Sequence, residues 1–253
     1  MVMFKTARLK IKRANMHITE ANVIIDGFRS PKLQEIRHEI DPNTGNQFLH
    51  YGLKSTVSFD NLALVIGDAI HNLKTAVDHG WYTLLHAFAP AAINNWTQFP
   101  VRNDRATLEH GLTGIKINTI NSALFEFVVN DLRPYREGGN DGICTIHDLD
   151  VRDKHKLLLP LARVTAVVGA VFEDETGRST EGASWGTMNE VLPITIPLSP
   201  NFKIKNYGSL MFEVVFDQGS SKNFITATAT LRHLCEITLG TIEAMESFFA
   251  RTR

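Results

Sequence analysis

Between Gly67 and Phe88 the chain runs GDAIHNLKTAVDHGWYTLLHAF, a helical pattern whose polar residues are mostly Asp, His and Asn. At about 100° per residue, Asp68, His71, Asn72, Thr75, Asp78, His79, Tyr82 and His86 fall within one arc of about 120°. Ile66, Ala69, Ile70, Leu73, Ala76, Val77 and Leu84 gather on the opposite flank, and Lys74 stands about 240° from Asp68, apart from the arc. A solvated helix face favours Lys and Glu, whereas Asp, Asn and His are mediocre helix formers. A stripe of them has a local cost that something must offset. Either the side chains hydrogen-bond into a buried polar layer, or they perform chemistry.

A second cluster lies in IHDLDVRDKHKLLL, which holds His147, Asp148, Asp150, Arg152, Asp153, Lys154, His155 and Lys156. On a helix, His147, Asp150 and Lys154 share one side, with Asp148 and His155 on the adjoining one. The bland alternative is a helix end laced with i,i+4 ion pairs, which are common and weak. Two such segments in one chain suggest a site joining residues 68–79 to 147–155.

Three kinds of activity fit these residue types. The first is a hydrolase or ribonuclease acting on RNA or a small molecule, its candidate catalytic set being Asp68, His71, Asn72, Asp78, His79, Asp153, Lys154 and His155. Imidazole titrates near neutral pH, so His71 or His79 would be the general base and His155 the matching acid. Asp68 or Asp78 would orient the base, and Lys154 or Arg152 would stabilise developing negative charge. The second is a divalent-metal site, with His71, Asp78, His79, His147 and His155 as candidate ligands. His71 and His79 lie about 12 Å apart along a helix axis, so one metal would need ligands from another helix. The third is a non-catalytic interaction module whose polar stripes are structural. No GxSxG nucleophile motif, HExxH zinc motif, P-loop or dinucleotide fingerprint is present, so acyl-enzyme chemistry and a nucleotide cofactor are not indicated.

The segments GDAIHNLKTAVDH, Phe99-Pro100, LRPY at 132–135 and DLDVRDKHKLL resemble a family of uncharacterised bacterial proteins. Its pattern is G-D-x-x-H-N-L-[RK]-x-A-x-D-H, then F-P, P-Y and D-K-H-[RK]. The resemblance covers roughly residues 33–160, and the matching positions are Gly67, Asp68, His71, Asn72, Asp78, His79, Pro134, Tyr135, Asp153, Lys154 and His155. It implies a bacterial chain but no particular activity. A more distant similarity is to the HEPN-type helical ribonucleases, which carry Arg-x(4–6)-His at a helix end. Arg105 and His110 meet that spacing, but about two such pairs arise by chance in a chain of this composition. Arg152 and His155 are spaced too closely to match.

The elements that must position these residues follow from periodicity and turn residues. Apolar spacing predicts a helix over 5–29, ended by Ser30-Pro31. LQEIRHEI and NQFLHYGL, separated by DPNTG, predict a β-hairpin. Further helices are expected from about 60 to 88, near 103–111, over 119–132 and from 142 to about 159. After Pro160, RVTAVVGAVF, VLPITIPL, LMFEVVF and NFITATA predict strands, and the polar stretch EDETGRSTEGASWGTMNE between the first two predicts a mobile loop. The segment LRHLCEITLGTIEAMESFFA carries Leu231, Leu234, Cys235, Ile242, Met245 and Phe249 at helical spacing, with Thr238 as the polar member of the stripe. The stripe is expected to face the core, the alternative being a homodimer seam. The fold class is α+β: a helical part with a hairpin over about 1–160, then a mostly antiparallel sheet and a closing helix over about 161–253, in one domain.

Composition bounds the rest. With 26 Lys and Arg against 27 Asp and Glu, net charge is −1, so no global field favours nucleic acid or membrane. Lys5, Arg8, Lys10, Lys12 and Arg13 make the first helix locally basic, either as a solvated face or as a phosphate contact. No apolar run is long enough to span a bilayer, and MVMFKTARLKIKR lacks a secretory h-region. Cys144 and Cys235 are accordingly expected as reduced thiols in a cytoplasm.

Overall fold

The computed structural model describes residues 4–156, 158, 160–182, 191–216 and 226–252. Helix α1 spans Lys5–Phe28, the hairpin strands β1 and β2 are Gln34–Ile40 and Gln47–Leu53, and helix α2 spans Asp60–Phe88. Short helices α3 (Arg105–Gly114), α4 (Ile117–Ile120) and α5 (Ser122–Glu126) lead through a π-helical turn, Phe127–Leu132, to α6 (Asp141–His155). Strands β3 (Pro160–Glu173), β4 (Ser179–Gly182), β5 (Ile194–Leu198) and β6 (Lys203–Phe216) precede helix α7 (Ala227–Thr252). The class is α+β.

Two compact units divide the chain, and neither is continuous in sequence. The first comprises Met1–Glu20, Leu64–Leu158 and Ala229–Arg253, the second Ala21–Ala63 and Leu159–Thr228. The hairpin, placed by sequence order in the helical part, falls instead within the second unit: β2 pairs antiparallel with β5. That makes one sheet in the order β1-β2-β5 and a second in the order β4-β3-β6. Within this unit the Tyr51 hydroxyl donates to the Tyr207 carbonyl, and the Gln34 amide exchanges hydrogen bonds with the backbone of Leu210.

Two expectations for the sheet region change. Ser179–Gly182 of the polar stretch pairs with β3 as a strand, and its residues 183–190 lie outside the described residues. Of NFITATA, residues 223–225 also lie outside them, and Ala227–Ala229 open helix α7. The reason is positional. Thr and Ala alternate there as they would in a strand, but the segment runs directly into the strong helical period that follows.

The first unit is built on α2. The flank expected to be apolar is buried: Ile66, Ala69, Ile70, Leu73, Ala76, Val77 and Leu84 are all closed to solvent. Ile242 and Met245 of α7 pack against α2 at Gly80, where a built Cβ would lie 2.6 and 2.7 Å from them. Leu231, Leu234, Cys235, Thr238, Ile242, Met245 and Phe249 are buried inside the single chain, so its stripe faces a core. An aromatic cluster anchors that packing, with Phe249 edge-on to Phe4 and Phe88, and Phe248 stacked on Phe127 at 4.4 Å between ring centroids. Cys144 and Cys235 are free thiols, both buried. Among the described residues no helix is long and apolar enough to cross a membrane.

Candidate functional site

Helices α2 and α6 meet within the first unit through three contacts that run antiparallel. A Cβ built on Gly67 would lie 2.5 Å from Asp153 Oδ2, His71 Nδ1 lies 3.0 Å from Asp150 Oδ1, and Lys74 carries its charge beside His147. Residue numbers rise on one helix as they fall on the other, about one turn per step. The first contact explains Gly67, since a larger side chain there would collide with the Asp153 carboxylate.

The central pair is a His–Asp dyad. Asp150 is only 3 % exposed, and its second oxygen takes the Lys154 ammonium at 2.6 Å, an i,i+4 contact on α6. A carboxylate only accepts, so in the neutral imidazole of His71 the proton sits on Nδ1 and Nε2 is left as the acceptor. The His71 side chain is half exposed. Thr75 Oγ1 approaches Nε2 no closer than 3.5 Å, because its hydroxyl donates to the His71 carbonyl at 2.7 Å. Nε2 therefore remains open to a proton from solution or from a ligand.

Around the dyad the remaining polar groups divide by environment. Asn72 is buried, with its amide donating to the Asp68 carbonyl while its oxygen accepts from Lys10 of α1 at 3.3 Å. Asp68 itself is exposed. Asp153 accepts from the Leu158 amide, yet its Oδ1 has no partner among the described residues. Burial raises its pKa above the ordinary value, and the neighbouring Asp150 and Asp68 add to the rise.

One turn further along, Lys74 and Asp78 form an ion pair at 2.5 Å with Lys74 only 5 % exposed. The same Asp78 oxygen accepts from the Phe99 amide at 2.9 Å. Asp78 thus holds the Phe99-Pro100 loop, in which Phe99 meets Trp81 edge to face. That loop continues into Arg102, whose amide donates to the Pro134 carbonyl, so the Pro134-Tyr135 segment is tied to the same structure. His147 lies beside this layer with a shielded, unpartnered Nδ1 among the described residues. Burial and then the Lys74 charge hold its pKa below the ordinary value, against Asp148 and Asp150.

The sequence-derived candidates are therefore only partly brought together. His71, Asp153 and Lys154 assemble around Asp150, with Asn72 and Asp68 alongside. Asp78 serves the loop and Lys74 and orients no imidazole. The imidazoles of His79 and His155 make no hydrogen bond among the described residues, and His155 is exposed at the end of α6. Tyr82 and His86 end the polar arc in solvent, their rings 6.4 Å apart. For the metal candidates His71, Asp78, His79, His147 and His155, no group of three or more His, Cys, Asp or Glu comes together in a metal-holding arrangement among the described residues.

Two residues central to this layer are not singled out by the sequence. Asp150 belongs to the second cluster but not to the candidate catalytic set, although its i,i+4 spacing to Lys154 is visible. Lys74 falls outside the polar arc on the wheel. The usable signal is its i,i+4 relation to Asp78, which allows a lysine to be buried if its charge is met.

Comparison of the chain with protein-family models, with curated proteins and with solved structures finds no match.

Proposed function

We propose that the chain is a hydrolase of the general acid–base type, with RNA cleavage as its most specific form. The observation that supports this reading is the His71–Asp150 dyad: a buried carboxylate fixes one imidazole nitrogen and leaves the other facing outward. This is the arrangement a general base needs. In RNA cleavage the 2′-hydroxyl is the nucleophile, which accords with a chain that carries no nucleophile motif. His71 Nε2 takes the 2′-hydroxyl proton, the 2′-oxygen attacks phosphorus, and the bond to the 5′-oxygen breaks. The 5′-oxygen then takes a proton from an acid, for which His155 on the same end of α6 is the candidate. Lys154 stands beside the dyad to offset the charge gathering on the phosphoryl oxygens. Lys10, bonded to Asn72, brings the basic side of α1 to the same polar layer and supports a phosphate-bearing substrate.

The test is cleavage of a fluorescently labelled single-stranded RNA by purified protein, with chelator present. Expected products end in 2′,3′-cyclic phosphate, and His71→Ala lowers the rate by about 100-fold or more while the thermal melt stays unchanged. Intact RNA with wild-type protein, or equal cleavage by His71→Ala, refutes the proposal.

A further inference from the structure

Cavities of about 420, 280 and 250 Å³ occur among the described residues, the first and last in the second unit and the middle one in the first. The one of about 420 Å³ lies in the second unit. Its charged side chains are already engaged: Glu35 with Arg37, and His50 with Glu39 and Thr195. The one of about 280 Å³ lies wholly in the first unit and is different in kind. Trp81 and Phe99 line it as an edge-to-face pair 6.1 Å apart, Leu112 adds apolar surface, and His147 and Arg102 supply polar groups. Trp96, also in the lining, is 85 % exposed.

Two features of this cavity call for a ligand. An indole so exposed is unusual, and the loop around it is held by its own hydrogen bonds: the Trp96 amide donates to Asn94 Oδ1, and the Asn94 amide donates to Thr97 Oγ1. Arg102 is a cation without a counter-ion among the described residues. Its Nη1 donates to the Val101 carbonyl, while Nε and Nη2 have no partner among the described residues and lie 3.5 Å from where a Cβ on Gly111 would stand. A guanidinium presenting a free pair of N–H groups matches a carboxylate or phosphate. An aromatic wall with one exposed indole matches a planar ring. The volume is near the lower end for small-molecule sites, which limits the occupant to one ring system.

We infer that the cavity beside the Phe99-Pro100 loop binds a small molecule made of a planar aromatic ring and one anionic group, the ring against Trp96 and the anion on Arg102. His147 adds a polar side chain to the lining. Asp78 ties the loop that builds this cavity to α2, about two turns from His71. The binding is independent of the catalytic reading above, because His71 is not in the lining.

The experiment is calorimetric titration of the full chain with four probes: adenosine 5′-monophosphate, indole-3-acetate, adenosine and inorganic phosphate. At least one of the first two is expected to bind saturably, at least about tenfold more tightly than both adenosine and phosphate. Which of them binds separates a nucleotide from an aromatic acid as the source of the chemistry. Arg102→Gln and Trp96→Ala, both at exposed positions, each weaken that binding by at least about tenfold with unchanged melts, whereas His71→Ala leaves it intact. The inference is overturned if neither ring-anion probe binds saturably, if adenosine or phosphate alone binds as well, or if either cavity variant binds normally.

Discussion

Asp153 accepts one hydrogen bond from the Leu158 amide and leaves Oδ1 buried without a partner among the described residues, facing the negative charge of Asp150 and Asp68. Its folded-state pKa is therefore raised above 3.8, mainly by burial. Between 3.8 and the raised value the native state keeps a proton that the unfolded chain gives up, so this group's contribution to stability falls as pH rises through that window. Above it, the ionised carboxylate weakens the fold. Asp153→Asn keeps an acceptor for Leu158 and removes the charge. The variant should melt higher than wild type at about pH 7, with the gain shrinking on going down to about pH 4.5. Melting curves at the two pH values check this, and a lower melting point for the variant at neutral pH would contradict it. The residue types here were legible in the sequence, since both His/Asp-rich segments stood out against ordinary helix composition. Their pairing was not. His71 and His79 were equivalent candidates on a wheel, and only the register of α2 against α6 selects His71 for Asp150.

That register depends on an approach close enough to exclude a Cβ at Gly67, where Asp153 Oδ2, Oδ1 and Cγ would all lie within 2.8 Å. Gly67→Ala gains helix propensity of about 1 kcal/mol. It must also displace a carboxylate on the facing helix, and overpacking of this kind costs about 1–3 kcal/mol. The net expectation is destabilisation, visible as a lower urea midpoint. If the clash with Asp153 is the cause, Gly67→Ala combined with Asp153→Ala will be more stable than the sum of the single changes allows, with a coupling of about 1 kcal/mol or more. Additive effects would remove Asp153 as the reason for the glycine. At this scale the helices themselves were readable from periodicity, and Gly67 stood inside a helical run without explanation. What hid its purpose is that the collision lies with a residue on another helix, far along the chain and beyond the reach of any local pattern. Lys74 was overlooked for a different reason: its partner Asp78 lies four residues on along the same helix, but a wheel that sorts residues by face sets the two in different groups.

Chain order misled most at the scale of the whole molecule. A split near residue 160 into helical and sheet parts matches the local pattern, but β-strands pair by hydrogen bonds between distant segments. The hairpin β1-β2 consequently joins β5, and the first unit recruits residues from both ends of the chain. The strand expectation for NFITATA failed in its described part because β-branched content cannot tell a strand from the opening of a long helix. The apolar stripe of α7 was legible, and its burial gives it a structural role. Phe249, 2 % exposed, meets Phe4 from the N-terminal segment and Phe88 from the end of α2. These three rings join the three sequence segments of the first unit. Phe249→Ala should then cost about 3–5 kcal/mol, the usual range for emptying an aromatic site in a core. At about 2–4 °C per kcal/mol for a chain of this size, the melting point should fall by roughly ten degrees. Leu9→Ala on the exposed side of α1, where the side chain is 53 % accessible, should leave it within about a degree or two. A melt of Phe249→Ala indistinguishable from that of Leu9→Ala would mean that α7 does not close this core, and the placement of α2 that presents His71 to Asp150 would need another cause.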